Sequence, residues 1–297
     1  MGRWLKLIFS ISLSLHFCSI LAFSQDNHFN PNAIYQFATY LYDTGDYPRA
    51  AAEYERYLFF AHDSARVDSI IFKIALSYRH VNEHERAINY FRRLTVRGGS
   101  SRYKGRAEYE VAYSLFKMDN YGESILYSRE ALGRIDLAEY KARLNMMVGI
   151  NRFFQKDWQA AEKIFSANLE AEQIPEVSVV NKQLKEFSSD GQRLPNKSPV
   201  LAGLMSSVIP GTGKIYAGRS IDGIYSLILV SLTAWQSYEG FNDAGRSSKK
   251  GWIYGSISAG FHLGNIYGTV ISVRLYNEEI ENQHVRKAEG WLNYYLH

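Results

Sequence analysis

The stretch AIYQFATYLYDTGDYPRAAAEYERYL, residues 33–58, decides the fold because its pattern recurs three more times at a fixed spacing. Its counterparts begin at Ile70, Ala107 and Leu144, and corresponding positions lie 37 residues apart. A constant period predicts a stack of repeated helical pairs, in which each unit buries its apolar face against its neighbours. A generic antiparallel helical bundle is the alternative, but a bundle does not require a single period.

The recurring positions fall into four columns with different physical roles. Small residues in the first helix of a unit allow the second helix to pack close to it, and a ring just after the turn fills the gap between them. On one face of the second helix, a small residue is followed four positions later by a residue that is usually larger. The columns are Ala38, Ala75, Ala112 and Gly149; Tyr47, His84, Tyr121 and Trp158; Ala50, Ala87, Ser124 and Ala161; and Tyr54, Phe91, Ser128 and Phe165.

These columns resemble tetratricopeptide repeats, most closely over GDYPRAAAEY, residues 45–54. The resemblance covers about residues 31–173 and implies an all-α helical solenoid. Units of that family have about 34 residues, so a spacing of 37 implies longer connections between units. Ser124 and Ser128 depart from the family pattern in the third unit.

An array of this family has a concave face formed by its first helices, which implies a groove for an extended peptide or a partner helix. Projecting the period onto the first helices gives a largely aromatic set of groove candidates. The alternative is that these rings pack between units. The candidates are Tyr35, Tyr42, Phe72, Arg79, Tyr109, Tyr113, Phe116, Met146 and Phe153.

Composition and motifs argue against an enzyme or a metalloprotein. The formal net charge is +4, which gives no reason to expect a nucleic-acid partner. His80 and His84 are four residues apart, but His84 belongs to the ring column, so we expect no metal there. No nucleophile motif occurs in the repeats. We therefore expect a non-enzymatic protein with no cofactor and no metal.

The N-terminal residues have the pattern of a cleavable secretory signal. Two basic residues precede an uncharged run over 7–23, and the small residues Ala22 and Ser24 suit a signal peptidase. This predicts a signal peptide over 1–24, with an uncleaved anchor as the alternative. A lipoprotein signal is disfavoured because bulky residues precede Cys18. Since Cys18 is the only cysteine, cleavage leaves no disulfide and no cysteine-based metal site.

The C-terminal third is poor in charge and suggests a membrane hairpin. The uncharged runs 223–238, extended to 221–239, and 251–273 each approach the roughly 20 residues that a spanning helix needs. Residues 199–209 form a segment that is short for a membrane crossing on its own. The sequence leaves three alternatives for it: a crossing, a re-entrant segment or a helix on the membrane surface. A β-barrel is disfavoured because too few residues remain for its strands.

After the signal peptide over 1–24, the predicted organisation has four parts. Residues 25–187 form the repeat array with a capping helix after Pro175, and 188–198 form a linker. Residues 199–277 form the membrane hairpin domain, and 278–297 form a polar and aromatic tail.

The loop between the two uncharged runs, residues 239–251, carries three basic residues against two acidic ones. Short basic loops tend to remain in the cytoplasm. A cleaved signal peptide places the repeats on the opposite side of the membrane from the cytoplasm. The signal peptide and the basic loop therefore predict the same topology. We expect a bacterial envelope protein whose repeats face the periplasm, with the inner membrane favoured over the outer one.

The stretch PGTGK, residues 210–214, looks like part of a nucleotide-binding loop. It lacks the first glycine, with Val208 in that place, and the final Ser or Thr, with Ile215 there. We expect no nucleotide. Residues 197–277 instead resemble small bacterial two-helix membrane hairpin domains, which implies a turn ahead of the first crossing. Its motif residues are Pro210, Gly211, Gly213, Lys214, Tyr216, Gly218, Arg219 and Asp222.

In that interpretation the glycines permit tight turns, Tyr216 lies at the interface, and Lys214 and Arg219 meet lipid headgroups. Arg219 is also placed to pair with Asp222. Polar residues within a spanning run are costly and often functional, which singles out His262 and Asn265. The alternative for Asn265 is a bond to the neighbouring helix.

The sequence therefore predicts an all-α chain: a tetratricopeptide-like solenoid followed by a transmembrane α-hairpin. The expected function is a membrane-anchored envelope scaffold that binds a protein or peptide through its repeats. The alternative is a membrane-embedded transport or protein-insertion component that acts through the hairpin. Small residues in the last run also allow a homo-oligomer through the hairpin.

Overall fold

The computed structural model describes residues 30–60, 66–97, 101–171 and 174–296. Within these ranges the chain is helical, with no β-strand. The α-helices are α1 (Pro31–Asp43), α2 (Tyr47–Phe60), α3 (Val67–His80), α4 (His84–Val96), α5 (Ser101–Lys117), α6 (Tyr121–Leu132), α7 (Ala138–Phe154), α8 (Trp158–Ala171), α9 (Pro175–Gln192), α10 (Pro199–Val208), α11 (Thr212–Tyr216), α12 (Ser220–Ala244) and α13 (Lys249–Leu296), with a 3₁₀ turn at Gly245–Ser247.

Helices α1 to α8 form a helical repeat-like solenoid. Each helix contacts the next one along the chain, and the first helices α3, α5 and α7 also contact one another in order. The all-α repeat architecture predicted from the 37-residue period is therefore confirmed. The predicted signal segment 1–24 lies outside the described residues.

Three of the four columns are buried in the interior of the array, and the ring column after each turn is half-buried. Ala38, Ala50 and Tyr54 are fully buried, and so is Phe165 in the last unit. A Cβ on Gly149 would lie 2.5 Å from the Phe165 ring, so this column needs a small residue for the ring to fit. Close packing of one large ring against one small residue explains why the two columns recur together.

The turn inside each unit repeats its backbone as well as its spacing. Gly45, Asn82, Asp119 and Lys156 have φ values of 84°, 60°, 59° and 62°, and each precedes a residue whose N–H bonds to a carbonyl five positions back. This is the Schellman-type end of a helix. The left-handed position thus recurs every 37 residues, although glycine occupies it only once.

The chain divides into two compact units, residues 1–182 and 183–297. Helix α9 runs across this division, so the stretch predicted as a linker, 188–198, is helical as far as Gln192. The stretch predicted as a tail, 278–297, belongs to the long helix α13 up to Leu296. Polar composition alone did not reveal that both stretches continue helices.

In the second unit, α12 and α13 pack side by side, and α10 and α11 pack against α13. None of the helices in the described part of the chain combines the length and the apolar character needed to cross a membrane. This differs from the two crossings predicted over 221–239 and 251–273. The physical reason is that glycine, serine, threonine, asparagine and histidine are interspersed among the large apolar residues and lower the mean hydropathy.

Candidate functional site

Most of the predicted groove residues are buried inside the array. Their rings pack on neighbouring helices; the Phe72 ring, for example, lies 5.5 Å from that of Phe91. Such side chains cannot reach a partner while the array stays folded. The buried members of the set are Phe72, Tyr109, Tyr113, Phe116, Met146 and Phe153. Tyr35, Tyr42 and Arg79 are half-buried and reach the surface.

Arginines lie over several of these rings. The guanidinium of Arg79 is 5.5 Å from the centre of the Tyr113 ring, and that of Arg106 is 4.5 Å from the Phe72 ring. Arg143 lies 5.9 Å from the Tyr109 ring. Cation–π contacts of this kind hold an arginine stem flat and leave its remaining donors outward. The rings that were predicted to line a groove thus form a layer beneath a surface of arginine side chains.

One buried carboxylate joins this surface. Glu110 accepts a hydrogen bond of 2.8 Å from Arg79 Nη1, and Arg106 Nε lies 3.9 Å away. Burial raises the pKa of Glu110, and the nearby guanidiniums oppose that rise. Arg143 also pairs with exposed Glu139 at 3.2 Å, so it has its own carboxylate. Arg79 and Arg106 therefore share a single negative charge and leave one positive charge over.

Sequence reasoning did not select Arg106 or Arg143. A signal was present, since the two residues are 37 positions apart and occupy one column. Only the structure shows that this column lies beside the rings. We name the surface formed by Arg79, Arg106 and Arg143 the arginine face.

Other buried charges in the array are paired and structural. Glu108 accepts two hydrogen bonds from Arg134, at 2.9 and 3.0 Å, and one of 2.6 Å from the Tyr127 hydroxyl. Burial and this bond raise the pKa of Tyr127. Removal of either partner would leave an uncompensated buried charge, which is costly.

No group of three or more candidate metal ligands occurs among the residues that the structure describes. The ring of His80 stacks on that of Tyr47 at 4.2 Å. His84 occupies the ring column, as its spacing predicts, and its Nδ1 is buried without a hydrogen-bond partner. Burial lowers the pKa of His84, and Lys117 and Arg79 lower it further. These interactions favour the neutral form of the imidazole.

The stretch 210–222 is a compact turn between α10 and α12. Gly211 and Gly218 have φ values of 88°, which favour glycine. A Cβ on Gly211 would overlap the carbonyl of Gly223, and one on Gly213 would overlap that of Ala202. The Gly213 N–H donates to Ser206 Oγ at 3.1 Å. These glycines permit close backbone contacts, as predicted, and do not form a phosphate-binding loop after a strand.

The other motif residues surround this turn. The Tyr216 hydroxyl accepts a hydrogen bond of 3.1 Å from the Ser198 N–H. Arg219 pairs with Asp222 at 2.5 Å, which is the predicted ion pair. Pro210 is half-buried ahead of the left-handed Gly211.

A cavity of about 360 Å³ lies beside this turn, between α11, α12 and α13. Lys214 Nζ donates to Ser226 Oγ at 2.8 Å, and Arg219 Nη1 donates to Ser272 Oγ at 3.2 Å. Lys214 has no carboxylate within ion-pair distance in the described residues, whereas Arg219 has Asp222. The lining is Lys214, Arg219, Asp222, Tyr225, Ser226, Leu229, Gly268 and Ser272. We name this cavity the cationic pocket.

The two predicted intramembrane polar residues lie on α13 and differ in their contacts. His262 Nε2 lies 3.2 Å from the carbonyl oxygen of Ser207. Asn265 is 4% exposed, and neither its Oδ1 nor its Nδ2 has a hydrogen-bond partner. The expected bond from Asn265 to a neighbouring helix is absent from the contacts of its side chain. An orphan buried amide is costly and therefore marks a position of interest.

Comparison with models of known protein families finds no match, and a search of curated proteins finds no similar sequence either.

Proposed function

We propose that this protein is a non-enzymatic scaffold of the bacterial envelope, attached to a membrane by its second unit and binding a protein or peptide through a tetratricopeptide-like array. The observation that carries the proposal is the sidedness of the second unit. Most of its large apolar side chains are exposed, whereas Ser206, Ser258 and Thr269 are buried between its helices.

The outward residues support lipid contact. Of the exposed large hydrophobic residues in the described ranges, 25 lie between Val200 and Tyr295 and seven lie between Phe37 and Val179. Ile221, Leu263 and Tyr267 are each about two-thirds exposed or more. Proteins surrounded by water rarely expose continuous apolar surfaces of this extent. A lipid layer would cover them.

The interior of the same unit supports this interpretation. Ser237 Oγ donates to the Gly251 carbonyl at 2.8 Å, and Ser258 Oγ donates to the Val230 carbonyl at 3.2 Å. Ser206 and Thr269 bond to each other at 3.0 Å. Helices in lipid associate through small residues and hydrogen bonds of this type, since apolar burial between them gains little.

Flotation with neutral phosphatidylcholine vesicles tests lipid attachment. The full-length protein is expected to float, and the variant Ile228→Glu/Leu232→Glu is expected to partition about a hundredfold less, because each charge opposes transfer into hydrocarbon. The matched control is Phe59→Glu/Leu126→Glu, which changes exposed apolar residues of the array and should float normally. Wild-type protein that stays in the aqueous fraction at all lipid concentrations would contradict the proposal.

Orientation needs a separate test because the proposed location has the array in the periplasm. In a Cys18→Ser background, single cysteines replace Phe60 in the array and Ser247 in the basic loop. A membrane-impermeant thiol reagent is expected to label position 60 and not position 247 in intact spheroplasts. Labelling of 247 alone would reverse the orientation, and labelling of both would show that the loop does not reach the cytoplasm.

The arginine face supports recognition of a partner segment that carries a carboxylate. Among the described residues, Glu110 is the carboxylate within ion-pair distance of both Arg79 and Arg106. Their guanidiniums lie over the rings of Tyr113 and Phe72. Guanidinium groups bind carboxylates through paired hydrogen bonds. A peptide or partner helix with an acidic residue fits both the charge and the elongated shape of the first-helix surface.

Cross-linking in cells tests this surface. Arg79→Gln/Arg106→Gln is expected to abolish a specific cross-linked species, whereas Arg56→Gln/Arg129→Gln, which removes the same charge elsewhere on the array, retains it. Equal capture by both variants would remove the arginine face from the proposal.

A second candidate function is a membrane transport or protein-insertion component. The unpartnered, buried Asn265 favours it, because an unpaired amide within a helical unit is expensive unless it has a role. Complementation of a deletion strain discriminates the two functions. Loss of complementation in Asn265→Leu/His262→Leu but not in Arg79→Gln/Arg106→Gln would favour the second function, and the reverse result would favour the scaffold.

A further inference from the structure

The cationic pocket is an open cavity in which each of two cations donates to a serine hydroxyl. Ser226 Oγ donates to the Asp222 carbonyl at 2.8 Å and accepts from Lys214. Ser272 Oγ donates to the Gly268 carbonyl at 2.8 Å and accepts from Arg219. Each serine is locked onto its own helix, so each cation has one fixed anchor and further N–H donors to offer.

The charge balance of the lining is positive. Asp222 is the one carboxylate among the lining residues, and it is already paired with Arg219 at 2.5 Å. Lys214 therefore faces the cavity with a charge that no carboxylate balances. The lysine stem runs beside Gly268, where an added Cβ would lie 3.9 Å from Lys214 Cε, an ordinary contact distance.

We propose that the cationic pocket binds a phosphate group. A compact ammonium and a forked guanidinium on two sides of a cavity suit an anion with several acceptor oxygens. The hydroxyls of Ser226 and Ser272 accept hydrogen bonds from the two cations but are uncharged, so they do not balance the charge of Lys214. This inference rests on the proposed lipid attachment only for the source of the phosphate.

The surroundings favour a phospholipid headgroup as that source. Tyr225 is 68% exposed and Leu229 is 44% exposed, and both line the same cavity. A bound phosphate would thus have charge on one side and an outward apolar ridge on the other. That combination matches an anionic amphiphile whose chains lie along α12.

Binding to the purified full-length protein in nonionic detergent tests the pocket. Native mass spectrometry measures retention of phosphatidylglycerol, and calorimetry measures binding of inorganic phosphate. Lys214→Gln/Arg219→Gln is expected to weaken binding by about tenfold or more, since it removes two charge-assisted contacts. Arg246→Gln/Lys249→Gln removes the same charge from the same unit outside the pocket and should leave binding unchanged.

A second variant distinguishes loss of the site from misfolding of the first variant. Gly268→Leu fills the cavity while every charge remains, and it is expected to weaken binding as well. Tighter binding of the lipid than of inorganic phosphate identifies a headgroup, and equal binding identifies a free phosphate. Equal affinity in wild type and both pocket variants, or equal loss in the control, would overturn the proposal.

Flotation with neutral vesicles separates this result from the proposed function. If the pocket variants lose phosphate binding but still float, both proposals stand. If wild-type protein binds phosphate but never floats, the pocket stands and lipid attachment fails.

Discussion

The array and the second unit are both made of packed helices, yet they place large and small side chains in opposite positions. In the array, Tyr54 and Phe165 are fully buried, and few large apolar residues are exposed. In the second unit, Ser206 and Thr269 are fully buried, while Ile221 and Tyr267 are each 71% exposed. Helix packing alone therefore does not determine where large apolar side chains lie, because the array buries them and the second unit exposes many of them.

The two interiors are also held together by different forces. A ring in the array fills a space that a small residue leaves, so its burial removes a large apolar area from contact with water. In the second unit, helices approach at glycine and serine, and hydroxyl groups bond to backbone carbonyls of the neighbouring helix. Truncation of a side chain should therefore be costly in the array, and enlargement should be costly in the second unit.

The largest expected effect is the loss of a buried ring from the array. Phe165→Ala should destabilise the last unit by about 3–5 kcal/mol, because it removes buried apolar surface and leaves a cavity next to Gly149. Hydrogen exchange of α7 and α8, followed by mass spectrometry, measures this locally. Phe59→Ala is the control, since Phe59 is 69% exposed and its removal should change stability little. Similar exchange in both variants would contradict the assignment of Phe165 and its column to the core of the array.

Enlargement of a glycine in the second unit gives the next effect. Gly211→Ala should destabilise that unit by about 1–3 kcal/mol or more, because it combines a left-handed backbone with overlap on the Gly223 carbonyl. Gly218 has the same φ but open space around it, so Gly218→Ala should cost only the backbone strain. Thermal unfolding in detergent measures both.

Gly260 provides the control for these glycine variants. It has nothing within 4 Å of an added Cβ, so Gly260→Ala should leave stability unchanged or raise it through helix propensity. If all three variants unfold at one temperature, the glycines are not required for close contact, and the turn has been misinterpreted.

The period of 37 residues allowed the array to be predicted, since small and large columns dictate a packing that only repeated helix pairs satisfy. The left-handed turn position could not be predicted in three of the four units. Asn82, Asp119 and Lys156 occupy it; asparagine and aspartate tolerate this conformation but are not specific for it, and lysine does not favour it.

The candidate site was predicted less well, and the reasons differ between the two units. In the array, periodicity placed the rings on the correct helices but did not distinguish rings that face solvent from rings beneath arginines. In the second unit, uncharged runs predicted long apolar helices, whereas charge alone does not reveal which face is apolar. The cationic pocket joins residues up to 58 positions apart, from Lys214 to Ser272, which no local pattern shows.

A pH effect sharpens the role of the ring column. Burial lowers the pKa of His84 in the folded chain. Between the two pKa values, the unfolded chain therefore binds a proton at His84 more readily than the folded chain does. Stability from this group is complete above the unfolded pKa, near 6.5, and falls as the pH drops below it toward the folded pKa. Because the ring is only partly buried, we expect the loss to be modest.

The variant His84→Tyr tests this effect, because tyrosine already occupies the column at Tyr47 and Tyr121. The free energy of unfolding of the wild-type array should fall more steeply than that of the variant between pH 7 and pH 5. Chemical denaturation at several pH values gives the difference, in which the other titrating groups cancel. Parallel pH profiles would mean that His84 takes up its proton equally in the folded and unfolded chains.

The smallest expected effect concerns one hydrogen bond between α12 and α13. Ser258→Ala removes the bond to the Val230 carbonyl and should destabilise the second unit by about 0.6 kcal/mol, the average for such bonds between helices in lipid. Ser256 is exposed on the same helix two residues earlier, so Ser256→Ala is a matched control that should have no effect. Unfolding in mixed micelles measures the pair. Because Ser258 faces inward and Ser256 faces outward, a larger effect at position 256 would reverse the sidedness of α13 and with it the contrast between the two units.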